Sequence, residues 1–206
     1  MEKEHDYTRD IAAIRSMMER SSKFLSLSGW AGIMAGIYAL VGAYMAFAFF
    51  RFNPDQVQYV PAGNPSPSLT PVVLLATTVL ILSIATAIFL SYKRARKRAE
   101  FIWNPTSRRM ITTMALPLVS GGILILVLLA SGLSGLLAPL SLLFYGLALY
   151  SAGNYTFKEI QFLGIIQVGL GLISSYFIEF SLLLWAIGFG VMHIVYGIYI
   201  HIRHER

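Results

Sequence analysis

The chain has 206 residues, 56% hydrophobic and only 13% charged, with a mean hydropathy of +0.66. A soluble domain carries about a quarter charged residues, so this composition excludes an ordinary soluble fold. The formal charge is +6, but the cations cluster beside apolar blocks, which points to membrane orientation rather than a nucleic-acid partner. With no cysteine in the chain, disulfides, thiolate chemistry and Cys-based metal sites are excluded.

The opening run MEKEHDYTRD is charged, mixed in sign and without a cleavable apolar core, so the first spanning helix is expected to act as its own insertion signal. Residues 8–27 read as an amphipathic helix, with Ile11, Ile14, Met18 and Leu25 on one stripe. Such a helix lies in the membrane interface or packs on the ends of the bundle. The first span, 29–52, carries Gly32 and Gly36 at GxxxG spacing beside Ala31, Ala35, Ala39 and Ala43. Small residues at this spacing let helix backbones approach closely, either inside the monomer or between two copies. Residues 53–70 hold Pro54, Pro61, Pro65 and Pro67 and are expected to form an extended external loop.

The second span, 71–92, runs into the strongest signal in the chain, SYKRARKRAEFIWNPTSRRM at 91–110. Lys93, Arg94, Arg96, Lys97, Arg98, Arg108 and Arg109 lie here between two long apolar runs, marking a cytoplasmic loop that could also hold anionic lipid or a protein partner. Phe101, Ile102 and Trp103 are expected at headgroup level. The third span, 110–130, contains Pro117, where a kink is expected. A short uncharged turn, SGLSG, leads to the fourth span, 136–153. Thr156 and Glu159 have the spacing of a capping box at the start of the fifth span, 157–177. That span carries Gln161 and Gln167 among glycines, so a small, partly polar face is expected to point into the bundle.

The sixth span, 181–202, contains Trp185, Gly188, Gly190, His193, Tyr196 and Gly197, and the tail closes the chain. The expected organisation is therefore a cytoplasmic segment 1–28, a transmembrane domain 29–202 and a cytoplasmic tail 203–206. Among the sixteen Lys and Arg residues, only Arg51 falls on the outer side of this layout, which places both termini in the cytoplasm. The fold class is all-α, a six-span bundle preceded by the interfacial helix. Ala35–Tyr38 and Tyr196–Tyr199 share a Gly-Ile-Tyr run, a faint hint of two inversely oriented halves.

His193 lies about nine residues, or roughly 13 Å, from the cytoplasmic end of its span. An ionisable group at that depth suggests a proton relay or ligand contact, though a neutral histidine bonded to a neighbour would be unremarkable. Gln161, Gln167, Tyr196 and Glu179 complete the candidate intramembrane polar site. No catalytic, phosphate-binding, metal-ligand or selectivity-filter motif is present in the sequence, so no enzyme activity, cofactor or metal is expected. The expected role is an accessory or regulatory membrane protein presenting a basic cytoplasmic surface to lipid, to a cytoplasmic partner or to a second copy. The alternatives are a small-solute or proton transporter and an intramembrane ligand-binding protein.

Three runs, SMMERSSKFLSLSGW at 16–30, NYTFKEIQFLG at 154–164 and WAIGFGVMHIVYGIYIHIRHER at 185–206, resemble a group of six-helix inner-membrane proteins of Gram-negative bacteria that has no assigned activity. The resemblance implies a bacterial inner membrane. The layout of three hairpins is also similar to small six-helix acid-resistance proteins, in architecture alone.

Overall fold

The computed structural model describes residues 28–52, 54, 69–97, 101 and 103–205. The expected helix at 8–27, most of the loop at 53–70, Arg98 and the last residue of the tail lie outside the described residues. Within them the chain is an all-α bundle of six helices: α1 Gly29–Ala48, α2 Thr70–Lys97, α3 Pro105–Ala130, α4 Ser134–Ala152, α5 Lys158–Tyr176 and α6 Ile178–Glu205. Each is long and apolar enough to cross a bilayer, the character of a multi-pass membrane protein.

The bundle is built inside out relative to a soluble protein. Gly, Ala, Ser and Gln occupy much of the interior, whereas Leu74, Ile81, Ile88, Leu116, Ile123 and Leu126 face outward. Lipid tails are as apolar as leucine, so large side chains need no burial there and small ones bring the backbones together. The most apolar stretch of α2 buries none of its residues. Hydroxyls on the lipid-facing surfaces are satisfied locally, since Thr77, Thr78, Thr112, Thr113 and Ser120 donate to carbonyls one turn back. A hydroxyl in hydrocarbon has no water to turn to.

Two seams hold the helices. Along the first, α1 packs on α6: a β-carbon built on Gly197 would lie 2.5 Å from the Gly29 carbonyl oxygen and 2.7 Å from the Ile33 nitrogen. Gly32 and Gly36 meet His193, Gly197 and Gly190 on the same seam, so the GxxxG face of α1 is used within the monomer. Along the second, α4 packs on α5 through Gly146, Gly164 and Gly171, whose β-carbons would strike the facing backbone. Helix α6 touches both α4 and α5, α2 packs on α1, and α3 packs on α4, where Gly121 receives the Phe144 ring.

Local boundaries depart from the sequence expectation at several places: α1 ends at Ala48 rather than at 52, and α2 runs on to Lys97, so the cations at 93–97 expected in a loop lie on helix. Helix α3 begins at Pro105, five residues before the expected span, because Asn104 and Ser107 form a capping box: Ser107 N–H donates to Asn104 Oδ1 at 2.8 Å and Asn104 N–H to Ser107 Oγ at 3.0 Å. Pro105 follows in the position where a missing N–H costs nothing. The box expected from Thr156 and Glu159 does not cap α5; the N-cap is Phe157, with no side-chain cap bond. Thr156 is buried, and Glu159 is engaged by α6 instead. Helix α3 contains Pro117 in its interior, as the sequence layout has it.

Gly197→Ala is expected to lower stability in detergent by about 1–3 kcal/mol, the cost of overpacking a tight contact. Gly122→Ala, where nothing lies within 4 Å of the added carbon, should be neutral or stabilising by about 0.4–1 kcal/mol. Thermal unfolding midpoints of the two purified variants check the contrast.

Candidate functional site

Polar side chains meet in the middle of the bundle, where α6 changes its winding. Residues Ala186–Met192 are π-helical, a wider turn that re-aims side chains and carbonyls. The Gly188 carbonyl oxygen accepts two side-chain bonds, from Gln167 Nε2 at 2.7 Å and from His193 Nδ1 at 3.0 Å. A carbonyl can only accept, so Nδ1 carries the proton and Nε2 of the neutral ring is an acceptor. Tyr145 fills that role, its hydroxyl donating to His193 Nε2 at 2.9 Å. The amide nitrogen of Gln167 also lies 3.4 Å from His193 Nδ1; with both atoms bearing protons, this is a contact and no bond.

Helix α4 thus supplies Tyr145, α5 supplies Gln167, and α6 supplies both Gly188 and His193. A β-carbon at 188 would lie 2.5 Å from Gln167 Oε1 and from Leu142 Cδ2, so any larger residue there would displace these side chains. His193 is 7% exposed and Gln167 fully buried. The Phe189 ring stacks near His193 and near Tyr145 and Trp185, and Trp185 Nε1–H donates to Ser141 Oγ at 3.1 Å. One buried atom here has no protein partner, Gln167 Oε1; the Tyr196 hydroxyl, which also has none, lies with the cluster around Phe157 and Ile160.

Of the expected polar set, the fold brings His193 and Gln167 together and puts Tyr196 one turn along the same helix. Gln161 stands apart, donating to Asn154 Oδ1 at 2.8 Å near the start of α5. Glu179 is exposed in the 3-10 turn Ile178–Phe180 at the opposite end of the bundle. Tyr145 was missed in the sequence. Its signal was a hydroxyl deep in an apolar span, which must find a partner in hydrocarbon.

A second cluster closes the cation-bearing end. Ser28, the N-cap of α1, makes no side-chain cap bond; Glu205 caps that helix instead, its Oε1 accepting from Gly29 N–H at 2.6 Å. Arg94 Nη1 bonds the same oxygen, Arg94 Nη2 donates to the His204 carbonyl at 2.9 Å, and His201 Nδ1–H donates to Glu205 Oε2. Both charged partners are 11% exposed. On the other side of α6, Glu159 lies 3.4 Å from His204 Nε2 and 3.9 Å from Arg203 Nε, and the His204 ring stacks on Phe157. One turn of α6 therefore ties α1, α2 and α5 together.

The expected basic surface changes accordingly. Arg94 turns inward to Glu205, whereas Lys93, Arg96, Lys97, Arg108 and Arg109 are exposed. Phe101 and Trp103 stand beside them, largely exposed. No group of three or more His, Asp or Glu able to hold a metal occurs among the described residues.

Breaking a buried ion pair by removing one member typically costs about 3–5 kcal/mol. Arg94→Gln and Glu205→Gln are therefore each expected to destabilise on that scale, and the double variant by clearly less than the sum of the two, because neither charge is then left unpaired. A double-mutant cycle on detergent unfolding, with amide exchange at the start of α1, reads this coupling. The sequence matches no protein-family model and no curated protein, and the fold matches no solved structure.

Proposed function

We propose that this is a multi-pass protein of a bacterial inner membrane, with both termini cytoplasmic, that works without catalysis as an accessory or regulatory protein. Its basic end would be presented to anionic lipid headgroups or to an acidic face of a partner. The observation that carries this reading is the division of cations at that end. Arg94 is consumed by an internal ion pair, while Lys93, Arg96, Lys97, Arg108 and Arg109 stay exposed beside the aromatic residues Phe101 and Trp103. Aromatic rings of this kind favour headgroup depth, and each cation near an anionic surface contributes about 1 kcal/mol.

The test is to replace the five exposed cations with glutamine and to confirm orientation by protease accessibility. Binding to vesicles containing anionic lipid, or retention of a co-purifying partner, should then fall by at least tenfold and lose its salt dependence. Unchanged binding in correctly oriented protein removes the reading.

A second reading, a proton or small-solute path or an intramembrane ligand site, is favoured by one specific observation. Gln167 Oε1 lacks a protein partner beside His193 and the π-helical turn. It predicts that His193→Ala abolishes a pH-dependent flux in proteoliposomes. Flux no greater than in empty liposomes across a broad solute panel would leave only the accessory role.

A further inference from the structure

Between α1 and α2 lies an open cleft of about 490 Å3 lined by Trp30, Met34, Ala85, Thr86, Phe89 and Leu90. Its wall is nearly all apolar, and it lies within the size range of small-molecule sites, roughly 300–1,000 Å3. The Tyr38 hydroxyl and Thr86 Oγ1, 3.3 Å apart, join the two helices beside it. Trp30 is half exposed and Phe89 nearly two-thirds exposed, so the cleft opens toward the lipid rather than into the bundle.

What lies above the cleft on α2 decides its occupant. At 3.6 residues per turn, Ala85, Thr86, Phe89 and Leu90 occupy an arc of about 140°. Lys93, Arg96 and Lys97 fall within the same arc, one to two turns nearer the helix end. Ser91, Arg94 and Ala95 fall outside it, on the side that α2 buries or pairs with Glu205. An apolar slot is thus continued along one helix face by three exposed cations, at a rise of about 1.5 Å per residue. Lys93 lies only about 6 Å along the axis from Phe89, a distance that spans the boundary between a phosphate and the first part of an acyl chain. Long Lys and Arg side chains reach along such a boundary with their stems on apolar surface and their charges in the headgroup layer.

We infer that this face is a binding site for one anionic phospholipid, its acyl chain in the α1–α2 cleft and its phosphate-bearing headgroup on Lys93, Arg96 and Lys97. The inference rests on the reading of the basic end as lipid-facing and deepens it from a surface to a site. A zwitterionic lipid would fill the slot equally well but gain little from the cations. Selectivity therefore comes from charge and position from shape.

Trp30 lines the cleft and reports its contents. The full chain carrying Trp103→Phe and Trp185→Phe leaves Trp30 as the sole indole, to be reconstituted with lipids brominated on the acyl chain. Brominated phosphatidylglycerol is expected to quench Trp30 at roughly tenfold lower mole fraction than brominated phosphatidylcholine. Lys93→Gln, Arg96→Gln and Lys97→Gln together should bring the two lipids level. Ala85→Phe, which fills the slot, should suppress quenching by both while native mass spectrometry still finds phosphatidylglycerol enriched on the protein. If the double tryptophan variant does not fold, the difference between Ala85→Phe and the otherwise unaltered chain supplies the Trp30 signal.

Equal quenching by both lipids, or a preference that survives loss of the three cations, overturns the site. Absence of quenching by either lipid also overturns it, and would mean that other chain, such as residues 1–27, covers the cleft. If enrichment of phosphatidylglycerol on the whole protein is missing as well, the lipid-facing reading falls too. If enrichment persists while Trp30 is blind to it, only the cleft assignment falls.

Discussion

Where Gly29, Gly32 and Gly36 meet Gly190, His193 and Gly197, the backbones of the first and last helices come into contact. Hydrocarbon gives helices no hydrophobic reason to associate, so close packing and internal hydrogen bonds must supply the attraction. This seam brings α6 to the centre of the bundle, against α1 on one side and against α4 and α5 on the other. The polar centre and the charged cluster both use α6 as their spine. Neither could form if a side chain at 197 or 36 held the two backbones apart.

Glycine also shapes the polar centre. At 188 it admits the Gln167 amide, and its carbonyl, in a stretch of π-helical winding, accepts from both Gln167 and His193. The result fixes the histidine tautomer through an acceptor that cannot donate. Tyr145 then meets the remaining ring nitrogen as a donor. A buried network of this kind is costly unless its members are satisfied, which makes the unpartnered Oε1 of Gln167 the point of interest within it.

The number and order of helices were legible because apolar runs of bilayer length need no tertiary context to be recognised. The close-packing use of Gly32 and Gly36 was also legible, though their partner helix was not, since small residues in one span do not name the span they meet. The start of α3 was hidden by its neighbours: Asn104 and Pro105 follow a run of cations and resemble loop, yet they are a cap and a first helical residue. At Thr156 the reverse occurred, a good local pattern overruled by burial of Thr156 and by the pull of α6 on Glu159. Gln167 and His193 could be chosen by depth alone. Tyr145 and Arg94 could not be assigned their partners, nor Glu205 its bond to Gly29, because these bonds join residues 48 or more positions apart.

The cap on α1 has a consequence for how the protein is made. Glu205 is synthesised 176 residues after Gly29. At about 5–20 residues per second, the first helix waits roughly 10–35 s for the carboxylate that completes its N-terminus. Until then the ribosome has released five helices whose central seam and end cluster are both empty. The arrival of α6 is therefore the step that turns an inserted set of hairpins into a closed bundle, and a membrane chaperone or quality-control protease would have that interval in which to act.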